Sequence, residues 1–267
     1  AIIPGLGIEG RDLFVAEVPG PTHDKFTATF KSTARRMWYL YISLTAAQAI
    51  LLLLGNMDLF DAICHSFTTM ATGGYSTKQA SIAYWDSAYI QYVVIIFMFI
   101  AGTNFGLLYV ILHGKFRKLF HDEEFKLYLY ITLGASTIIA IVLFLNGYAN
   151  LELSIRESIF QVVTILTTTG FATADYLLWP PLTGAIIFAL LFIGACAGST
   201  SGGLKCIRLN LLFKNSFIEM KRIIHPNGII NVKYNGKSVH PNIMTGVHFR
   251  YLQPDHVTIY SGHSHRL

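Results

Sequence analysis

The stretch "TTMATGGYST", from Thr68 to Thr77, decides how the rest of the chain is interpreted. It carries no charged residue, and it combines hydroxyl side chains with a pair of glycines. A second stretch, "TILTTTGFAT" from Thr164 to Thr173, repeats the pattern 96 residues later without a gap. The match continues over roughly 45 residues, which indicates an internal duplication rather than a chance similarity. We refer to these stretches as the first and second threonine loops.

Long uncharged runs surround both threonine loops. The chain is 53% hydrophobic and only 13% charged, whereas soluble domains carry nearly twice that share of charge. A helix of about 20 residues crosses the hydrocarbon core of a bilayer. Four uncharged runs are about that long or longer: Met37–Asn56, Ser87–Gly114, Leu127–Leu151 and Tyr176–Leu204. They predict four membrane-crossing segments and make an extended soluble core a poor alternative.

The charged residues predict the orientation of these segments. Basic residues concentrate before the first run, between the second and third, and after the fourth, so this side is predicted to be cytoplasmic. The opposite side is predominantly acidic and would attract cations, although a solvated loop surface explains the same acids. The basic set is Arg11, Lys25, Lys31, Arg35, Arg36, Lys115, Arg117, Lys118, Lys126, Lys205, Arg208, Lys214, Lys221 and Arg222, and the acidic set is Asp58, Asp61, Asp86, Glu152, Glu157 and Asp175. Because these charges flank apolar runs, nucleic-acid binding is not needed to explain them.

A short apolar piece precedes each threonine loop. The pieces Phe60–Met70 and Ser154–Thr167 would span only about 15–20 Å as helices, roughly half a bilayer. The predicted orientation also requires each piece to return to the side it came from. They are therefore predicted to be re-entrant half-helices whose partly negative C-terminal ends point at the threonine loops.

Irregular backbone at mid-membrane depth is tolerated where it is buried in protein or lines a watery cavity. Gly74 and Gly170 allow backbone angles that other residues resist, so successive carbonyl groups can face inwards and replace the water around a cation. Tyr75 and Phe171 are expected to brace the loops from behind. A structural glycine turn is the alternative for one loop alone, but two equivalent loops favour a cation pathway.

The sequence resembles a known family at these motifs. "PGLGIEGRDLFVAEVPGP" at 4–21, "GNMDLFDAICHSFTTMATGGYSTKQASIAYWDS" at 55–87 and "FIGACAGSTSGGLKCIRLNLLFK" at 192–214 are similar to the TrkH membrane subunits of bacterial Trk potassium-uptake systems, in the Trk/Ktr/HKT superfamily. The resemblance covers Ala1–Gly246. It implies the second and third of four span, pore-loop and span repeats in an all-α membrane protein. The potassium-binding filter residues it implies are Thr72, Gly73, Gly74, Tyr75, Thr168, Thr169, Gly170 and Phe171.

The resemblance also implies a gate below the filter. The last helix of the third repeat is broken by a flexible intramembrane loop, which here matches Gly198, Ser199, Thr200, Ser201, Gly202 and Gly203. We refer to Gly198–Gly203 as the candidate gate loop. Its glycines and hydroxyl residues favour a helix break, while close helix packing is the alternative use of such small residues.

The wider setting is also implied by the resemblance. It implies a multi-pass protein of the bacterial cytoplasmic, or inner, membrane, in contact with lipid, which takes up potassium as a pore-forming subunit or a fragment of one. Family members form homodimers and bind a cytoplasmic nucleotide-binding regulatory ring, and symport with protons or sodium is open. No cofactor and no nucleic-acid partner are expected. A non-conducting assembly or dimerisation fragment is the alternative.

The chain is not expected to be an enzyme. No nucleophile–base pair, phosphate loop or metal-ligand spacing of Cys64, Cys196 and Cys206 stands out. A membrane enzyme using His65 or His121 would need a second catalytic group on a neighbouring helix, and the sequence offers no convincing one.

The predicted organisation has five parts. Asn235-Gly236 is typical of a type I′ turn and predicts a small cytoplasmic hairpin over Ile229–Val239. The histidine-rich end, with His263 and His265, is a weak metal signal. The parts are 1–36, the end of a preceding repeat and a linker; 37–114, the second-type pore repeat; 115–225, the third-type repeat with the gate and a cytoplasmic helix; 226–246, the hairpin and the start of a further repeat; and 247–267, an atypical tail.

Overall fold

The computed structural model describes residues 30–114, 116–148, 150–224, 233–235 and 237–238. The predicted linker before residue 30 and the atypical tail at 247–267 lie outside these residues. The helices are α1 (Phe30–Leu54), α2 (Leu59–Met70), α3 (Ala88–Ala101), α4 (Phe105–Leu112), α5 (Glu123–Leu145), α6 (Leu151–Leu166), α7 (Pro181–Leu190) and α8 (Cys206–Ile224). Short 3-10 turns cover Ser81–Tyr84, Phe116–His121 and Tyr176–Leu178.

Two of the described helices are long and apolar enough to cross a membrane. They are Ala34–Leu54, within α1, and Glu123–Leu145, which is all of α5. Both present large apolar side chains outwards, as lipid-facing helices do. The exposed residues include Trp38, Tyr39, Ile50 and Leu54 on α1, and Tyr130, Leu133, Ile138 and Ile141 on α5.

The other two predicted spans are not continuous helices. The run Ser87–Gly114 is split into α3 and α4, which meet at 105°. The break has a local cause, because Asn104 Oδ1 accepts the backbone N–H groups of Gly106 and Leu107 at 2.8 and 3.2 Å. These bonds cap a new helix start. In the last run, Tyr176–Leu204, α7 has ten residues and gives way to non-helical backbone after Leu190.

The short helices α2 and α6 match the two predicted half-helices closely. They contain 12 and 16 residues, which correspond to about 18 and 24 Å. Asp58 begins α2 by accepting the N–H of Phe60 at 3.1 Å. Each helix ends at the third residue of its threonine loop, so the rest of each loop follows directly from the end of a short helix.

Two apolar clusters hold these elements in place. One joins α1, α2 and α3 to the second threonine loop, through residues such as Leu52, Met70, Met98, Phe160 and Phe171. The other joins α5, α6 and α7 to the backbone before α8, through residues such as Tyr128, Leu143, Leu166, Ile187 and Cys206. The half-helix α6 contributes to both clusters, which places it at the centre of this part of the chain.

Contacts divide the chain into two compact units, with the boundary between Asn210 and Leu211. In the second unit, strands β1 (Lys233–Tyr234) and β2 (Lys237–Ser238) pair antiparallel. Asn235, between them, has a φ of 47°, as the first residue of a type I′ turn does. The rest of the range predicted as a hairpin lies outside the described residues.

Candidate permeation site

The two threonine loops have the same backbone shape. Thr72 and Thr168, equivalent at the 96-residue offset, have φ values of 50° and 56°. Gly74 and Gly170 have φ values of 66° and 83°. A positive φ is uncommon for a residue with a branched side chain. Its recurrence at equivalent threonines therefore indicates that both loops are held in one specific conformation.

Equivalent backbone hydrogen bonds hold that conformation. The N–H of Gly73 donates to the carbonyl of Thr68 at 2.7 Å, and the N–H of Thr169 donates to the carbonyl of Thr164 at 2.9 Å. One residue earlier, Thr72 and Thr168 donate to the carbonyls of Thr69 and Ile165. Each half-helix thus ends in the same tight turn, which uses carbonyl groups that a helix end leaves without partners.

The two loops also touch each other. A Cβ atom placed on Gly74 would lie 1.8 Å from the carbonyl oxygen of Thr169. Beyond this contact, Ala83 donates its N–H to the carbonyl of Ala172 at 3.0 Å, and Ser81 Oγ accepts the N–H of Ala172 at 3.2 Å. Residues 89 to 95 positions apart in sequence therefore meet at one place, and glycine is required at position 74 by close approach as well as by φ.

The aromatic residues of the two loops occupy different environments. Phe171 is 1% exposed, with its ring centroid 5.8 Å from that of His65, whereas Tyr75 is 79% exposed. His65 is fully buried and contacts Trp85 edge-on at 4.9 Å. In the described residues, the bracing expected of both aromatics is therefore made by Phe171, and Tyr75 points to the surface.

His65 and Asp61 hold the C-terminal end of the first threonine loop against α2. His65 Nε2 lies 2.9 Å from Ser76 Oγ, and its Nδ1 lies 2.7 Å from the carbonyl of Asp61. Thr77 Oγ1 donates to Asp61 Oδ1 at 2.7 Å. These contacts between residues 11 and 16 positions apart hold the loop end against its own half-helix.

The charge of Asp61 is paired with a basic side chain, so Asp61 is not an unpaired acid on the predicted acidic side. Lys78 Nζ lies 3.2 Å from Asp61 Oδ2. The hydrogen bond from Thr77, followed by the effects of Lys78, lowers the pKa of Asp61 below its ordinary value, against the opposing effect of burial. The sequence pattern gave no indication that Asp61 is paired with Lys78.

The candidate gate loop lies against both threonine loops. Thr72 Oγ1 donates to the carbonyl of Thr200 at 2.9 Å, and Thr200 Oγ1 donates to the carbonyl of Met70 at 2.9 Å. On the other side, Gly202 donates its N–H to Thr168 Oγ1 at 2.7 Å. The equivalent threonines, Thr72 and Thr168, each therefore hold one part of the candidate gate loop.

The helix break around the candidate gate loop has a structural basis that the sequence analysis missed. Gly194 donates its N–H to the carbonyl of Leu204 at 2.7 Å. A Cβ atom on Gly194 would lie 2.4 Å from the carbonyl oxygen of Gly202. The backbone segments before and after the candidate gate loop are therefore in direct contact between α7 and α8. The signal available in the sequence was a small residue, Gly194, placed before the run of glycines and hydroxyl residues.

This fold and site define a class of protein: a helical membrane protein with two equivalent short helices, each followed by a polar, glycine-containing loop. The chain belongs to the TrkH family of cation transport proteins, whose family model matches residues 1–252. This family consists of cation transporters and not of enzymes.

Named relatives agree with this assignment. The chain is 41% identical over 250 residues to the Trk system potassium uptake protein TrkH of Escherichia coli strain K12, covering 92% of the chain and 52% of that relative. It is 37% identical over 251 residues to TrkG of the same strain, covering 92% of the chain and 51% of the relative. The chain therefore spans about half the length of the curated relatives it matches.

A solved structure supports the fold directly. The crystal structure of the potassium transporter TrkH from Vibrio parahaemolyticus superposes with a TM-score of 0.81 at 34% sequence identity. The match covers 90% of this chain and 52% of that chain.

Proposed function

We propose that this chain contributes two of the filter strands of a potassium-uptake pathway across the bacterial cytoplasmic membrane. The observation that carries the proposal is the recurrence of one backbone conformation at Thr72–Gly74 and Thr168–Gly170, with the two loops in contact. The names of the relatives, which are potassium uptake proteins, support potassium as the ion. The arrangement of span, re-entrant half-helix and span in each repeat belongs to the same proposal.

The proposed filter works by replacing water. Carbonyl oxygens of the two threonine loops take the place of the hydration shell of the ion. The C-terminal ends of α2 and α6, which carry the partly negative ends of the helix dipoles, point towards it. The hydrogen bonds that fix each turn keep the carbonyl groups from relaxing around a smaller ion. The filter residues are Thr72, Gly73, Gly74, Tyr75, Thr168, Thr169, Gly170 and Phe171.

The candidate gate loop, Gly198–Gly203, obstructs the pathway on the proposed cytoplasmic side of the filter. Its support is the pair of hydrogen bonds that tie it to Thr72 and Thr168. Opening then consists of withdrawing the loop after these bonds break, together with the bonds from Thr200 to the carbonyls of Met70 and Ala101 and from the Phe105 N–H to the carbonyl of Gly198. Since hydrogen bonds between neutral groups contribute about 0.5–1.5 kcal/mol each, a few of them can hold a loop that must also be released.

The surroundings are proposed on the same basis. The protein crosses the inner membrane several times in contact with lipid, forms a homodimer and docks a cytoplasmic nucleotide-binding ring through its basic segments. The hairpin at Lys233–Ser238 lies on that cytoplasmic side. Whether uptake is a symport with protons or sodium is decided by flux measurements under imposed gradients.

The test of the proposed function compares two forms of the protein. The full-length gene product and this 267-residue chain are each expressed in a bacterial strain that lacks its own potassium uptake systems. Rescue of growth at low potassium and rubidium uptake are expected for the full-length product. Uptake by neither form, with both present in the membrane, would contradict the proposal and favour a non-conducting assembly role.

A further inference from the structure

A buried carboxylate touches both ends of the candidate gate loop. Glu124, in the first turn of α5, is 4% exposed. Its Oε1 atom accepts the backbone N–H of Ala197 at 2.6 Å and that of Ile207 at 3.0 Å. Ala197 immediately precedes the candidate gate loop, and Ile207 lies at the start of α8. One oxygen atom of Glu124 therefore joins two backbone positions that lie on either side of the loop.

The contact satisfies backbone groups that would otherwise be buried without a partner. The first N–H groups of a helix have no partner within the helix, and Ile207 donates such an N–H group to Glu124 Oε1. Leaving a buried donor without its acceptor costs about 1–3 kcal/mol. The positions on the two sides of the candidate gate loop are therefore both held to α5 by one side chain.

Other contacts hold the candidate gate loop itself. Lys205 Nζ donates to the carbonyl oxygen of Ser201, and it lies 3.1 Å from Ser201 Oγ. The contacts to the threonine loops come from Thr200 and Gly202 and involve no charged group. Lys205 therefore braces the loop from two residues beyond its end, and hydrogen bonds between uncharged groups attach the loop to the threonine loops.

We infer that Glu124 is the positioning residue of the candidate gate loop, holding Ala197 and Ile207 in place so that Gly198–Gly203 can leave the two threonine loops as a hinged flap. This inference rests on the proposed function, because it assigns to Glu124 a part in gating the same pathway. Glu124 does not contact either threonine loop through its described hydrogen bonds, so it acts through the loop and not on the ion.

Two native cysteines allow this anchor, the pair of hydrogen bonds from Ala197 and Ile207 to Glu124, to be tested independently of ion flux. Cys196 and Cys206 directly precede the two residues that Glu124 holds, and they are 1% and 0% exposed. Loss of the anchor should expose both thiols. The experiment measures maleimide labelling of the full-length gene product in membrane vesicles, with every other cysteine replaced by serine, and it compares Glu124→Ala with the unaltered side chain.

We expect Glu124→Ala to label about tenfold faster, because two backbone N–H groups lose their acceptor. Glu124→Gln should label close to the original rate, since its amide oxygen can accept both N–H groups. Glu123→Ala is the matched control, because it removes a carboxylate from the adjacent half-buried position of the same helix turn. An unchanged rate in Glu124→Ala, or equally fast labelling in Glu124→Gln, would overturn the inference.

Two further readouts complete the test. If Glu124→Ala does not accumulate in the membrane, Glu124→Asp replaces it, because the shorter carboxylate cannot reach both N–H groups; an unchanged labelling rate in that variant contradicts the anchor. Rubidium flux is measured in parallel and should rise in Glu124→Ala, with ion preference retained. Faster labelling without a change in flux would support the anchor and contradict the proposed gate.

Discussion

At the scale of single residues, the three glycines of the threonine loops have different reasons to be glycine. Gly74 has a positive φ and lies against the backbone of Thr169, whereas Gly170 has a positive φ with open space around the missing Cβ. Gly73 has neither constraint, because the nearest atom to its missing Cβ lies at 3.5 Å. Equivalent positions in the two repeats are therefore under different steric constraints.

These differences predict a graded series of alanine variants in the full-length protein. Gly74→Ala should abolish selective rubidium uptake, because the new methyl group overlaps the Thr169 carbonyl. Gly170→Ala should reduce uptake by about tenfold, since the left-handed conformation costs an L-residue about 1–2 kcal/mol. Gly73→Ala is the control and should retain most activity. Uptake and the potassium-to-sodium preference are measured together, and equal losses in all three variants would contradict the geometry.

At the scale of elements, sequence reasoning located the short helices α2 and α6 and the helix break near the candidate gate loop, but it did not indicate the bend between α3 and α4. The predicted piece Phe60–Met70 differs from α2 by one residue at its start, because apolar length and the following glycines mark both of its ends. The run Ser87–Gly114, predicted as one membrane-crossing segment, is bent between two helices, and hydropathy gives no sign of this bend because it does not register a side-chain cap. Asn104 accepts two backbone N–H groups and starts α4 in a new direction.

The candidate gate loop supplies the prediction at this scale. Deleting Gly198–Gly203 from the full-length protein should raise ion flux several-fold and leave ion preference largely intact. The reason is that the loop's hydrogen bonds to the threonine loops go to Met70, Thr72 and Thr168 and not to their glycines. Gly74→Ser is the contrasting variant, which should change preference because it alters the coordinating backbone. Unchanged flux from a deletion protein that reaches the membrane would favour a packing role for this segment.

At the scale of the whole molecule, composition and charge placement were enough to predict a helical membrane protein, and the repeat was enough to locate its two loops. The pairing of Gly74 with Thr169, the anchor at Glu124 and the ion pair of Asp61 with Lys78 were beyond such reasoning. Each joins segments that are distant in sequence or depends on a side-chain direction. Periodicity, spacing and charge counts contain no information of that kind.

The predicted orientation is tested by cysteine accessibility in intact cells. Asp86→Cys and Asp175→Cys, both at exposed positions, should react with a membrane-impermeant thiol reagent added outside, because the positive-inside rule places them on the outer side. Lys118→Cys, also exposed, should react only after the membrane is permeabilised. Equal reaction of all three from outside would overturn the orientation.

The close approach of Gly74 to Thr169 also constrains how this chain can change over evolutionary time. Duplicated segments ordinarily diverge independently, each accumulating substitutions at its own rate. Here one copy occupies the space that a side chain on the other would need, so a substitution at position 74 survives only with a compensating backbone change near position 169. We expect natural homologues to keep glycine at position 74 or to vary at positions 74 and 169 together. The two copies of the duplicated segment would then evolve in a coupled way at this contact.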